Sequence, residues 1–299
     1  MELVRACWDK RIDDARDLLI GGADVDQEFD LFSEGYTDTP LMAACSLSLD
    51  IDWQQHLALV KLLLKFGADV NKPCSGSDMT ALAFMNEAFE INSLMELLLD
   101  SGADVNVRYG SDSTPLIHAS LHSYFTKVKL LLKYGADVNM TGDKGRTPLM
   151  AACGRRSKGV DDVVELLLER GADVNAMDSA GNTALKEALI HTVWQDDPDE
   201  QFNVVKMLIE RGADLNFKIS GEEEDNVKFS RKLIEAGQTG EFERWRSQYL
   251  LKRWRTWFHA RRITRYWWLE LLEPNYAPGM PGYVKSLAAF EQDADALMH

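Results

Sequence analysis

Cysteine is scarce in this sequence: there are four in 299 residues, at Cys7, Cys45, Cys74 and Cys153. They are widely separated, form no C-x-x-C pair and have no histidine at metal-ligand spacing. That argues against a disulfide framework or a zinc site and points to a reducing, intracellular compartment, cytoplasmic or nuclear. Long apolar runs are also lacking. The strongest cluster, Tyr266 to Leu272, falls far short of the roughly 18 residues a membrane-spanning helix needs. No apolar stretch follows Met1-Glu2-Leu3-Val4-Arg5, so no secretory signal is expected. Positive charge is in deficit, with 33 Lys+Arg against 48 Asp+Glu and a net charge of −15. A field of that sign repels phosphate, so nucleic acid is not an expected partner of the molecule as a whole. Common catalytic signatures are missing as well: there is no G-x-S-x-G, no G-x-x-x-x-G-K-[ST] and no H-E-x-x-H. With 45% apolar and 27% charged residues, the chain nevertheless has the composition of a folded protein.

The chain repeats itself. Gly-Ala-Asp-(Val/Leu) begins at Gly22, Gly67, Gly102, Gly135, Gly171 and Gly212, and in the last five copies Asn follows, at Asn71, Asn106, Asn139, Asn175 and Asn216. Thr-(Pro/Ala)-Leu begins at Thr39, Thr80, Thr114, Thr147 and Thr183, alternating strictly with the first string. Successive motif glycines lie 45, 35, 33, 36 and 41 residues apart. Interleaved signatures of this kind mark a repeat architecture.

Each mark has a physical reading. Thr147-Pro148 starts a helix, because the Thr hydroxyl accepts from a free backbone N–H and Pro at the first helical position loses no bond. Leu149-Met150-Ala151-Ala152-Cys153 is then a short helix of small and apolar residues suited to close stacking. Val163-Val164-Glu165-Leu166-Leu167-Leu168 has apolar residues at helical spacing, and Gly171 follows where a left-handed residue ends a helix. Asp173-Val174-Asn175 leads into the polar turn Asp178-Ser179-Ala180-Gly181. The unit is helix, turn, helix and a hairpin-like finger, and it must stack because one unit cannot bury both its faces.

Asp143-x-Gly145-x-Thr147-Pro148-Leu149, an apolar helix pair and Gly171-Ala172-Asp173-Val174-Asn175 together resemble the ankyrin repeat. The resemblance covers residues 1–217, read as six repeats at 1–36, 37–76, 77–111, 112–144, 145–180 and 181–217. It implies an all-α solenoid of helix-turn-helix units with β-hairpin-like fingers. The function implied is non-catalytic protein binding on the concave face of fingers and inner helices, as an adaptor, without cofactor or metal. A monomer is expected. The Asp-Val-Asn strings also resemble asparagines that are hydroxylated in some ankyrin proteins, which would make the chain a substrate of such an enzyme.

Departures from the pattern locate the places where function is grafted on. The first repeat lacks Thr-Pro-Leu and begins as a cap. Its finger is long, with 17 residues from Gly22 to Thr39 against 12 in most units, and holds Phe29, Leu31, Phe32 and Tyr36. Extra residues around Ser46–Trp53 and Thr192–Glu200 should lengthen helix-to-helix turns. By position in the repeat, the resemblance places partner contacts on the fingers at Tyr36, Arg108, Tyr109, Lys144, Arg146, Met177 and Asn182. At the ends of first helices it places them at Leu47, Leu121, His122, Arg155 and His191. His118, within an inner helix, reads as a packed histidine. The aspartates repeated at 24, 69, 104, 137, 173 and 214 read as turn formers, because one residue repeated in one place supplies only one role.

The last 80 residues differ. An acidic linker and degenerate cap helix is expected over 218–240, and a basic, Trp-rich helical extension over 241–299. Arg244 to Arg265 contains eight basic residues and no acid, and five of the eight tryptophans lie between Trp245 and Trp268. Trp245, Arg253, Trp254, Arg255, Trp257, Phe258, Arg261, Arg262 and Trp267 either cap the array, with Arg stems lying over apolar surface, or dock a second partner. As a basic amphipathic helix, 244–268 suits a calmodulin-like protein or, through Arg–phosphate pairing and Trp stacking, nucleic acid. The Arg/Trp-rich tail is also similar to tails of proteins from large DNA viruses. That similarity implies only a viral origin. Because some viral ankyrin proteins carry a C-terminal F-box-like segment, a host-interaction adaptor recruiting ubiquitin-ligase machinery is a further alternative, although no Leu-Pro box of that kind is present.

Overall fold

A computed structural model describes residues 2–29, 37–46, 53–75, 78–87, 92–110, 112–155, 158–192 and 199–214. The chain divides into two compact units, Met1–Phe242 and Glu243–His299, and every described residue belongs to the first.

Twelve α-helices are found among these residues, in six consecutive pairs: α1 (Glu2–Trp8) with α2 (Ile12–Ile20), α3 (Pro40–Cys45) with α4 (Trp53–Lys65), and α5 (Ala81–Glu87) with α6 (Asn92–Asp100). They continue as α7 (Pro115–Leu121) with α8 (Phe125–Lys133), α9 (Pro148–Cys153) with α10 (Val160–Glu169), and α11 (Ala184–Thr192) with α12 (Asp199–Glu210). Odd-numbered helices pack on odd, each against the next, and even on even. The result is a two-layer stack in which every pair touches mainly its neighbours, the arrangement expected of a solenoid.

Threonine starts the inner helices. The Oγ1 atoms of Thr39, Thr114 and Thr147 accept from the backbone N–H three residues on at 3.2, 3.3 and 3.2 Å, with Pro at the first helical position. Thr80 and Thr183, followed by Ala, do the same at 3.3 Å each. Every residue of α3 and of α9 is buried, which requires the small side chains of Pro-Leu-Met-Ala-Ala-Cys. The second helices are amphipathic: in α10, Val163, Val164, Leu167 and Leu168 are buried while Glu165 and Glu169 face water. Burying each such side chain contributes about 1.5–3 kcal/mol.

The motif glycines end the second helices in one geometry. At Gly171 φ is +86°, its N–H donates to Leu168 O at 3.2 Å, and Ala172 N–H reaches back to Leu167 O at 3.0 Å. That paired closure needs a left-handed residue, which glycine supplies without a Cβ clash.

The Asp-Val-Asn strings stitch the repeats together. Asp173 Oδ1 accepts from Asn175 N–H within its own turn at 2.9 Å. Across repeats, Asn139 Oδ1 accepts from Asp173 N–H at 2.8 Å and its Nδ2 donates to Gly171 O at 3.1 Å. Asn71 with the third repeat and Asn175 with the sixth make the same two bonds. In the first repeat Asp26 stands in the Asn position and keeps the accepting half of the pattern, taking Asp69 N–H at 3.0 Å.

The fingers are closed turns with no extended strand among the described residues. Isolated bridges pair Phe29 with Asp38 and Tyr109 with Ser113. Gly142 N–H donates to Arg146 O at 2.9 Å and Asp178 N–H to Asn182 O at 3.0 Å. The helix bounds put the extra residues of the second and sixth repeats between their paired helices, and 47–52 and 193–198 lie outside the described residues. All four cysteines are buried, and none forms a disulfide. Burial pushes the thiols of Cys7 and Cys45 up to about 12 and raises that of Cys153, which suits packing rather than reactivity. No described helix is long and apolar enough to cross a membrane.

Candidate functional site

The repeated polar residues are consumed by the fold, which leaves the positions that vary between repeats as the candidate binding residues. Two registers of the inner helices matter most, the fourth and the eighth residue after each motif threonine. In the fourth repeat they are His118 and His122, and in the fifth the eighth position is Arg155.

The turn after α7 sets the geometry. Ser123 N–H donates to Ser120 O at 3.1 Å and Tyr124 N–H to Ala119 O at 3.0 Å, the same closure that the motif glycines make. Here the left-handed position is held by Ser123, at φ +53°. This turn brings the Tyr124 ring beside the end of α7, where it stacks on His122 with centroids 5.4 Å apart and planes 16° from parallel. His118, one helical turn earlier, lies 4.6 Å from the His122 ring. Because α7 packs on α9, the Arg155 guanidinium comes within 3.3 Å of His122 Nδ1 and 3.4 Å of its Nε2. Lys127 of α8 sits 5.0 Å from the Tyr124 centroid and donates to Met85 O at 3.3 Å, at the end of α5.

These neighbours hold both imidazoles neutral. Burial, then His122, Lys127 and Arg155, push His118 down to about 4. Burial, then Arg155 and Lys127, lower His122 below its usual value. The buried Nδ1 of His118 has no hydrogen-bond partner among the described residues, so a proton there would have nothing to bond. A second polar link crosses the same side of the stack. Arg146 Nη2 lies 3.8 Å from Glu187 Oε2, and a Cβ at Gly154 would collide with both groups. Glycine at 154 therefore leaves the path for that pair open.

The sequence expectations fare unevenly. His122 and Arg155 are brought together, with half-buried Leu121 beside them. Met177 is 68% exposed and Lys144 is exposed at φ +57°, its carbonyl taking Ser179 N–H of the next finger at 2.7 Å. Arg108 pairs with Asp112 at 2.8 Å inside its own finger. Asn182 is held by Asp178, its Nδ2 donating to Asp178 Oδ2 at 2.9 Å. Tyr109 needs correction as a finger-tip contact: the finger folds back at Ser113 and leaves the ring 4% exposed. His191 lies in α11, and its side chain is outside what is described. Tyr36 and Leu47 lie outside the described residues, as do the linker, the cap helix and the tail with Trp245, Arg253, Trp254, Arg255, Trp257, Phe258, Arg261, Arg262 and Trp267. Tyr124, Lys127 and Glu187 were missed by the sequence reading. The signal available for Glu187 was its place in the same register as His118.

A family model described as ankyrin repeats matches residues 3–109, 53–142, 84–178 and 116–219. No match of that model reaches past residue 219, so the tail's similarity to viral proteins has no counterpart in it. Among solved structures the chain is similar to one described as the crystal structure of EF0377, an ankyrin repeat protein. The identity is 26% and the TM-score 0.57, over 70% of this chain and 96% of that one. No curated protein matches the chain.

Proposed function

This chain belongs to the ankyrin-repeat family, and from that premise we propose that it is a non-catalytic adaptor that holds a partner protein against its fingers and inner-helix ends. Ankyrin repeats generally serve as protein–protein interaction modules, and stacked repeats offer a broad surface on which a few aromatic and Arg anchors carry most of the affinity. The observation that carries the reading is the division of labour among side chains. The repeated Thr, Asp and Asn are bonded to backbone within the stack, whereas the variable His122, Tyr124 and Arg155 gather across two repeats at the end of the inner helices. A residue that recurs in register serves the architecture, and one that does not is available for recognition. Catalysis finds no support in the repeated carboxylates, since those of Asp24, Asp69, Asp104, Asp137 and Asp173 accept backbone N–H groups two residues on.

Affinity capture with the full chain, read by mass spectrometry, is the test. The double variant Arg155→Ala, His122→Ala is expected to lose the captured partner while melting within a few degrees of the parent. Retention of the same partner by a folded double variant would refute the placement of the binding surface.

A further inference from the structure

The sign of the charges around His122 says more about the partner. Each element packed against the end of α7 contributes to it. The helix itself supplies His118 and His122, the following turn Tyr124, α8 supplies Lys127, and the segment after α9 supplies Arg155. On α5, the remaining neighbour, the one titratable residue is the terminal Glu87, whose side chain is outside the description. Among the described residues Arg155 forms no ion pair, and the group facing it is an imidazole kept neutral by burial and by Arg155. A guanidinium and an imidazole in van der Waals contact, in a chain with a large acidic excess, form a local site of opposite sign to its surroundings.

We propose that Arg155 and His122 form an anion-recognition site that takes a side-chain carboxylate from an acidic segment of the partner protein. This rests on the binding surface proposed above and names the chemistry it recognises. The guanidinium presents a planar fork that matches a carboxylate in a two-point bond. The neutral imidazole beside it becomes a further charged donor once a carboxylate arrives, because an opposite charge within a few ångströms favours the protonated ring. Tyr124 backs the His122 ring and fixes its plane. A carboxylate is favoured over a phosphate because the site brings together one formal cation, Arg155, and an imidazole that resists protonation in the free protein, which balances a singly charged group but not a dianion.

Proton uptake follows from this arrangement. In the free protein His122 titrates below its ordinary value, and a bound carboxylate moves it upward. Between those two midpoints the complex holds a proton that the free protein does not, so affinity rises as pH falls, by at most tenfold per pH unit for one proton.

The test uses the full chain with ring-labelled histidine, titrated by NMR with a Glu-Gly dodecapeptide, its Gln-Gly analogue, and inorganic phosphate at matched ionic strength. The expected result is a raised His122 midpoint with the Glu-Gly peptide alone, and binding several-fold tighter at pH 5.5 than at pH 7.5. Arg155→Gln should abolish both effects, and Arg155→Lys should restore only part of the affinity. His122 unmoved by millimolar Glu-Gly peptide overturns the assignment, as does equal binding of the Gln-Gly analogue or an undiminished response in Arg155→Gln. A phosphate response equal to that of the peptide removes the carboxylate from the proposal. If the peptide fails while Arg155→Ala, His122→Ala still loses the captured partner, the anion chemistry falls and the binding surface stands. If capture survives that double variant, the surface itself falls, and the anion proposal with it.

Discussion

At the scale of single residues, the left-handed positions separate architecture from use. Six motif glycines end second helices at φ between +85° and +89°, where a Cβ costs about 1–2 kcal/mol. Two first helices close the same way on a residue with a side chain, Lys10 at φ +57° and Ser123 at φ +53°. Lys10 has a reason to be there. Its buried Nζ donates to Ala43 O at 2.7 Å, Ala44 O at 3.3 Å and Ser46 Oγ at 3.2 Å, serving the orphan carbonyls at the end of α3. Ser123 makes no comparable bond, since its buried Oγ has no partner among the described residues. Ser123→Gly is therefore expected to stabilise the fold by about 1 kcal/mol, and Lys10→Gly to destabilise it despite the same relief, both read by urea denaturation. Burial also lowers Lys10 to about 8 from its ordinary 10.5. Between those values the unfolded chain binds a proton that the folded chain has released, so stability contributed by Lys10 rises with pH across that window. The stability difference between the parent and Lys10→Met should rise likewise from pH 8 to 10.5. A flat difference would remove the buried-amine account.

At the scale of elements, every joint after the first depends on one asparagine, at Asn71, Asn106, Asn139 and Asn175. Replacing Asn139 by Leu removes an acceptor for Asp173 N–H and a donor to Gly171 O, with an expected loss of about 1–3 kcal/mol. Asn139→Asp keeps only the acceptor, as Asp26 does in the first repeat, and should cost less than the Leu variant in chemical denaturation. The turn-forming half of the pattern, an aspartate accepting from the N–H two residues on, was legible in the sequence, whereas the asparagine bond to the next repeat was not. A motif recurring in register has one backbone role, and a Thr-Pro start, an apolar face and a terminal glycine are local chemistry. The candidate site was legible only in part. His122 and Arg155 were named from their place at helix ends, but their contact depends on α7 lying against α9. His118 was read as a packed core residue, and its place in the cluster emerged only with the turn at Ser123. Tyr109 was placed by its position in the repeat, and such a placement does not record the closure of this finger on itself through Ser113, which buries the residue.

At the scale of the molecule, a stack bonded mainly to nearest neighbours should lose cooperativity when a central joint is cut. Asn139→Leu lies between the fourth and fifth repeats and is expected to broaden or split the unfolding transition, while Asp26→Ala at the first joint should mainly fray one end. Circular dichroism and tryptophan fluorescence, followed through the same denaturant series, would separate the two. Acid acts through the histidine cluster. His118 is pushed down to about 4, so between pH 6.5 and 4 the unfolded chain takes up a proton the folded one resists, and stability falls as pH drops through that range. His118→Gln should flatten this part of the curve. The sequence by itself determined the six helix pairs and their threonine starts and glycine ends, because each follows from residue type and spacing along the chain. Only the tertiary structure decided which variable side chains meet, since a guanidinium after one helix and an imidazole ending another, 33 residues apart, become a single site through packing that no local pattern records.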